Sequence, residues 1–377
     1  MPHMLADLRR LVEAESPATE PAALASSAEV LAAVGAALLG AEPERLVEAG
    51  RTHLRWRLGS GRRRLLLLGH HDTVWPLGTL ARMPWSLDGD IARGPGCFDM
   101  KAGLVLVLHA LAALGGIDAA DLDGVTVFVS GDEELGSPTA GRLIEAEARG
   151  CLAVLVTEPS ADGGALKTAR KGIASYEVTV RGVAAHAGLD PERGVNAVVE
   201  LAHQVLAVAA LNPRWVHSTV TPTLLAGGST GNTVPADGRL VVDVRAHDRV
   251  EQEAVERALH ELVAVTPGAT VEVLRTMSIP PLEAASSADL FARAQALATS
   301  LGLAPLRGTM VGGGSDGNRT AALGIPTLDG LGAVGGGAHA ADEHVRVAAL
   351  PGRAALVCAL VRSILAAPDD ERTRQSG

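Results

Sequence analysis

Residues 64–73 read RLLLLGHHDT: four leucines, Leu65 to Leu68, closed by Gly69 and followed by His70, His71 and Asp72. An apolar run of this length, stopped by glycine, predicts a strand buried on both faces. Two further runs have the same character, VTVFVS at 125–130 and LAVLVT at 152–157. A helix is predicted over 103–114 and another around 138–149. Strands alternating with helices predict an α/β fold, a mostly parallel sheet covered by helices on both faces. Upstream, Ser26-x-x-Glu29 reads as a capping box opening an Ala/Leu helix over 26–39.

The pattern changes near residue 172. IASYEVTVRG (173–182) alternates apolar and polar residues, the mark of a half-exposed strand. A helix over 194–211, strands over 217–226 and 239–246, a helix over 249–265 and a strand over 269–275 follow. The order β-α-β-β-α-β is ferredoxin-like and complete in itself. After Pro280-Pro281 come a helix (287–301), a short strand (325–328) and a last helix (349–366). The expected organisation is a catalytic domain of 1–172 plus 286–377, interrupted by an inserted α+β domain of 173–285.

The chain has 377 residues, enough for two domains with their own cores. Acidic residues outnumber basic ones by 43 to 33, which argues against a nucleic-acid or anionic-membrane partner. Cys97, Cys151 and Cys358 are odd in number and far apart, so no disulfide framework is expected. The longest apolar stretch read from the sequence, Leu104 to Leu114, is too short to span a bilayer. The first sixteen residues form an amphipathic pattern without an apolar signal region. The expected location is therefore cytoplasmic.

Acidic and histidine-bearing segments follow the predicted strands, where open α/β sheets bind ligands. In Gly69-His70-His71-Asp72, residues i and i+2 point to one side, so His70 and Asp72 converge and His71 points away. The plainer reading is a pair of surface histidines. Asp99, in GPGCFDMK (94–101), is either a ligand or a helix N-cap, and Cys97 is a soft ligand or a core residue. Asp132, Glu133 and Glu134 are a solvated patch on a surface, but need a cation inside a cleft. Glu158, before Pro159, is a ligand or a turn residue. His339 lies in GGGAHAADEH (335–344), after the glycine run Gly312–Gly314. Two histidines and several carboxylates without thiolates suit Zn²⁺, with Co²⁺ or Mn²⁺ as alternatives. Five ligands exceed one catalytic zinc and suggest a pair of ions sharing a carboxylate.

GHHDTV, GPGCFDMK, DEELGS, TEPS and GGGAHAADE, in that order and spacing, resemble the dizinc amidohydrolase and peptidase family. That family includes glutamate carboxypeptidase, aminoacylase, acetylornithine deacetylase and succinyl-diaminopimelate desuccinylase. The resemblance covers roughly residues 60 to 350. It implies two metal ions held by His70, Asp99, Glu134, Glu158 and His339, with Asp99 bridging. It implies Glu133 as general base and Asp72 as the carboxylate that orients His70. The inserted domain resembles the family's lid and dimerisation domain. The resemblance implies a homodimer in which His186, in AHAG, reaches the partner's active site. Asn232 and Arg245 resemble lid residues that hold a substrate carboxylate, with backbone at Gly313 and Gly314. The alternative for Arg245 is a strand charge paired with Asp243. Arg170-Lys171 is either a substrate contact or a hinge charge.

KGIASYEVTVRG, HAGLDPERGVNA and GNTVPADGRLVVDVR are most similar to glutamate carboxypeptidase. The expected substrate is a small peptide or an N-acyl amino acid, cut beside a free carboxylate. A deacylase on the same scaffold is the alternative. A dimetal phosphoesterase would need more cations near the ligands than Lys101 and Arg319, and a non-catalytic homologue would have lost a ligand or the base.

Overall fold

The computed structural model describes residues 1–366. They form two compact units. The larger comprises residues 1–169, 283–311 and 315 onward; the smaller comprises residues 170–282 with Gly312–Gly314.

The larger unit is built on strands β1 (Glu44–Glu48), β2 (Arg51–Leu58), β3 (Leu65–His70), β4 (Val125–Ser130) and β5 (Ala153–Val156), with Thr327–Leu328 at the far edge. The order is β1-β2-β4-β3-β5-(327–328). Strand β3 lies between β4 and β5, parallel to both, with Leu67 opposite Val127 and Leu155. Strand β2 runs antiparallel to β4, so a hairpin extends the parallel sheet. Alternate residues enter opposite cores, as a period of two requires. Leu65, Leu67, Val127 and Leu155 pack into the core that also holds residues of helices α1 (Pro2–Glu13), α2 (Pro21–Leu39) and α3 (Ala102–Ala113). Leu66, Leu68, Phe128 and Val154 pack with Ile144 of α4 (Ala140–Ala148). Where α2 crosses β2, no side chain fits at Gly35: a Cβ there would lie 2.3 Å from the Trp56 ring.

Two expectations change here. Ser26 does not cap α2, which starts five residues earlier at Pro21; Ser26 Oγ donates to the Ala22 carbonyl inside the helix. Proline's fixed φ suits the first helical position and moves the start upstream. The second concerns apolar length: Pro21–Leu39 and Val347–Leu365 are each long and apolar enough to cross a membrane. Both send residues into the core, among them Leu24, Leu31, Val357 and Leu360.

The smaller unit has strands β6 (Gly172–Arg181), β7 (Thr219–Gly227), β8 (Asp237–Ala246) and β9 (Thr270–Ile279), with helices α5 (Ala197–Ala209) and α6 (Arg249–His260). All pairings are antiparallel, in the order β7-β8-β6-β9. Along β6 buried and half-exposed residues alternate without a break. Ala174, Tyr176, Val178 and Val180 face a core containing Leu201 of α5 and Val255 of α6. This is the ferredoxin-like arrangement.

Candidate metal centre

Strands β3, β4 and β5 are parallel, so their carboxyl ends share one edge of the sheet. That edge carries His70, the loop Gly131–Gly136 and Glu158. A separate small sheet supplies the other two segments. In it Ile91–Arg93 pairs with His344–Arg346, which pairs in turn with Gly335–Gly336. The turn 94–101 and the loop 336–344 leave this sheet and carry Asp99 and His339.

The side chains converge. His70 Nε2 lies 3.2 Å from Glu158 Oε1, 3.3 Å from Asp99 Oδ1 and 3.9 Å from Glu133 Oε2. His339 Nε2 lies 3.4 Å from Asp99 Oδ2 and 3.3 Å from Glu134 Oε1. Asp99 therefore turns one oxygen to each histidine. Glu133 and Glu134 are adjacent but aim at different histidines, as expected of neighbours at a strand end. Ligand-type atoms of His70, Asp99 and Glu134, and of His70, Glu133 and Glu158, lie within 4.8 Å of one another. Glu133 is thus also within reach of an ion.

The residues fit a cation. Ligands bound at about 2.0–2.2 Å in a tetrahedral shell sit roughly 3.3–3.6 Å apart, close to the His–carboxylate separations here. A good charged hydrogen bond would be about 2.7–2.9 Å. Asp99 Oδ1 and Glu134 Oε1 are buried and accept no hydrogen bond, an arrangement that is costly unless a positive charge is close. Burial opposes charging His70, yet Asp72, Asp99 and Glu158 outweigh it and push the ring well above its usual pKa. Asp99 and Glu134 raise half-exposed His339 to about 10. Burial pushes Glu133 well above the carboxylate range, with His70 opposing and Glu158 adding. Protons here neutralise crowded carboxylates. A coordinated ion would replace them, because it needs the imidazoles neutral.

Asp72 contacts both His70 and the loop that carries the acids. His70 Nδ1 is 3.0 Å from the Asp72 backbone carbonyl and 3.5 Å from its carboxylate. The carboxylate also accepts the backbone N–H groups of Glu133 (3.2 Å) and Glu134 (3.0 Å). Asp132 is not part of the acid cluster, since it accepts from Thr139 N, Thr139 Oγ1 and Ala140 N at the start of α4. His71 is buried and lies 2.9 Å from the Thr52 carbonyl, turned from the site. Cys97 is buried in the core.

Two acids that the sequence reading gave no role complete the surroundings. Asp316 is within hydrogen-bond reach of Ser130 Oγ (3.2 Å) and Ser137 Oγ, at either end of the Glu133–Glu134 loop. Glu343 accepts from Trp75 and from the turn before Asp99. Asp316 follows the glycine run and Glu343 follows His339 by four residues, which is the only sequence signal for either.

The remaining residues belong to the smaller unit. His186 is exposed, and its backbone pairs with Thr233, next to Asn232. Gly188 N–H donates to His186 Nδ1 (3.1 Å), and Ala187 N–H to the Asn232 carbonyl (2.8 Å). The Arg245 fork is engaged by Asp243 at 2.9 and 3.0 Å, the pairing weighed as its alternative. Arg170 is buried and donates to the Gly313 (3.1 Å) and Gly314 (3.0 Å) carbonyls, so the glycine loop is clamped. Lys171 Nζ donates to the His217 carbonyl.

Residues 66–363 match the profile of peptidase family M20/M25/M40. The chain belongs to the M20 peptidase family. This M20 peptidase is 34% identical over 316 residues to carboxypeptidase G2 of Pseudomonas sp. (strain RS-16), covering 81% of this chain and 75% of that one. It is 30% identical to a succinyl-diaminopimelate desuccinylase of Methylobacterium sp. (strain 4-46), covering 80% of each. Among solved structures, a Bacillus cereus aminopeptidase shares its fold with a TM-score of 0.73 at 22% identity, covering 96% and 98% of the two chains. A metallo-carboxypeptidase from Sulfolobus solfataricus also scores 0.73, at 16% identity, covering 96% and 99%. As an M20 member the protein is a hydrolase of amide bonds, in a metal-dependent family.

Proposed function

We propose that this M20 hydrolase is a dizinc carboxypeptidase of the glutamate carboxypeptidase type, cutting an amide bond beside a free carboxylate. Asp99 carries the two-ion reading: its two oxygens face two histidines, 3.3 Å from His70 and 3.4 Å from His339. His70 and Glu158 would hold one ion, His339 and Glu134 the other, with Asp99 between them. Zinc suits this donor set, and cobalt or manganese could substitute. Such ions supply Lewis-acid polarisation and make water acidic enough to attack near neutral pH. Glu133 takes the proton of the attacking water and passes it to the leaving nitrogen. Because Gly188 donates to Nδ1 of His186, the neutral ring carries its proton on Nε2, a donor suited to a tetrahedral oxyanion.

The carboxypeptidase relative at 34% identity favours peptide cleavage; the desuccinylase relative at 30% favours deacylation as the second reading. A panel of peptides ending in glutamate and other residues, N-acyl amino acids and N-succinyl-diaminopimelate, run with Zn²⁺, Co²⁺ and Mn²⁺, separates them. Cleavage of the C-terminal glutamate bond is expected. Turnover of the succinyl compound alone would overturn the carboxypeptidase reading.

Arg245 and Asn232 would read the free carboxylate, the substrate taking the Arg245 fork from Asp243. A charge-assisted hydrogen bond contributes about 1.5–3 kcal/mol, roughly 10–150-fold. Arg245→Ala is expected to lower kcat/KM by that factor, and Arg245→Lys to recover only part because the planar fork is lost. Amidating the substrate carboxylate should cost the parent enzyme as much and Arg245→Ala little more. If the variant still discriminates carboxylate from amide as strongly, Arg245 is only Asp243's partner.

The homodimer reading places the partner subunit's His186 at each active site. Inactive His186→Ala and Glu133→Gln chains, mixed with subunit exchange, are expected to recover activity. In a mixed dimer, one site combines intact Glu133 with intact His186. No recovery despite demonstrated exchange would rule out action across subunits.

A further inference from the structure

We propose that Glu343 is a positioning residue that holds Asp99 and His339 at the separation needed to share a metal ion. This assignment rests on the metal-dependent reading above. Glu343 is fully buried, with 0% of its surface exposed. Its Oε1 accepts the backbone N–H groups of Phe98 (2.9 Å) and Asp99 (3.0 Å). Its Oε2 accepts Gly96 N–H (2.9 Å) and Trp75 Nε1–H (2.7 Å). Four donors match the four acceptor positions of a carboxylate. Three of them are main-chain groups within the four residues ending at Asp99, so one side chain fixes the peptide planes that aim Asp99.

The same residue belongs to the segment that aims His339. Glu343 N–H donates to the Ala340 carbonyl (3.0 Å) and Ala340 N–H to the Gly337 carbonyl (2.9 Å). His339, inside these turns, has φ of 61°, in the left-handed region that non-glycine residues occupy only when their surroundings impose it. Next to Glu343, His344 pairs with Arg93 at the start of the Asp99 turn. The Asp99 and His339 turns are 240 residues apart in sequence (339 minus 99), and Glu343 ties them together through hydrogen bonds of good geometry. Burying a carboxylate to hold a turn is expensive. The outcome is the 3.4 Å approach of Asp99 Oδ2 to His339 Nε2.

The test compares Glu343→Gln and Glu343→Asp with Val345→Ala. Val345 is a fully buried neighbour, in the strand that begins one residue after Glu343, whose truncation loosens the region without touching these bonds. Metal-free proteins are titrated with Co²⁺ and followed by visible absorption and elemental analysis, with Tm measured alongside. In Glu343→Gln the new amide donor faces Gly96 or Phe98 and Asp99, so one acceptor edge is lost. One equivalent of cobalt is expected to bind 10–100-fold more weakly, the range for residues that orient metal ligands, with a changed cobalt spectrum. Val345→Ala is expected to lose Tm but keep affinity and spectrum. Unchanged cobalt binding in Glu343→Gln, or an equal loss in Val345→Ala at the same Tm, would overturn the assignment. So would failure of both Glu343 variants to fold while Val345→Ala folds. A parent chain that binds no cobalt would instead overturn the proposed function, and this assignment with it.

Discussion

Glu133→Gln is expected to retain its metal and lose turnover by about 10²–10⁴-fold, the usual contribution of a general acid–base group. Glutamine keeps the shape and one acceptor oxygen but cannot take a proton. The geometry makes the measurement discriminating. Glu133 Oε2 lies 3.9 Å from His70 Nε2, farther than Glu158 or Asp99. Yet Glu133 also belongs to a group that could hold an ion with His70 and Glu158. Elemental analysis must therefore accompany the rates. Loss of metal with normal turnover per remaining ion would exchange the roles of Glu133 and Glu134.

Chelation is expected to abolish hydrolysis, and zinc or cobalt to restore it. Asp99, Glu133, Glu134 and Glu158 converge with His70 and His339, a donor set suited to the metal chemistry proposed. The ion should also stabilise the fold. Binding only to the native chain adds RT ln(1 + [L]/Kd), about 2.7 kcal/mol at a hundredfold excess over Kd. A rise in Tm on titrating zinc into the stripped protein checks this without substrate. Full hydrolysis by a chain shown to be metal-free would refute the dizinc reading.

Much of this was legible because burial dictates composition. Strands β3, β4 and β5 are covered on both faces, so apolar residues dominate there, and the runs stand out. The β2 hairpin was missed although LRWRL (54–58) alternates as a half-buried strand should, with Leu54, Trp56 and Leu58 inward. The small sheet was illegible for a different reason. Its strands are two or three residues long, and His344 meets Arg93 across 251 positions. Glu343 was hidden with it, because beside Asp342 it looks like an ordinary surface acid. The sequence also left Arg170 between substrate contact and hinge charge. Nothing local told that its guanidinium would be buried against the Gly313 and Gly314 carbonyls, 143 and 144 residues away.

The interruption of the larger unit by the smaller one has a consequence in time. A ribosome makes Glu158 181 residues before His339 (339 minus 158) and, at about 5–20 residues per second, roughly 9–36 s earlier. Residues 170–282 of the smaller unit, with their own core, can fold as they emerge, and only Gly312–Gly314 join them later. The first 169 residues must wait. Their core still lacks Leu350, Leu356, Val357 and Leu360, which pack into it from the last helix, and the acid cluster lacks its second histidine. The nascent protein therefore passes through a stage with one nearly finished unit and one open apolar face, when chaperones and proteases have their best access to it.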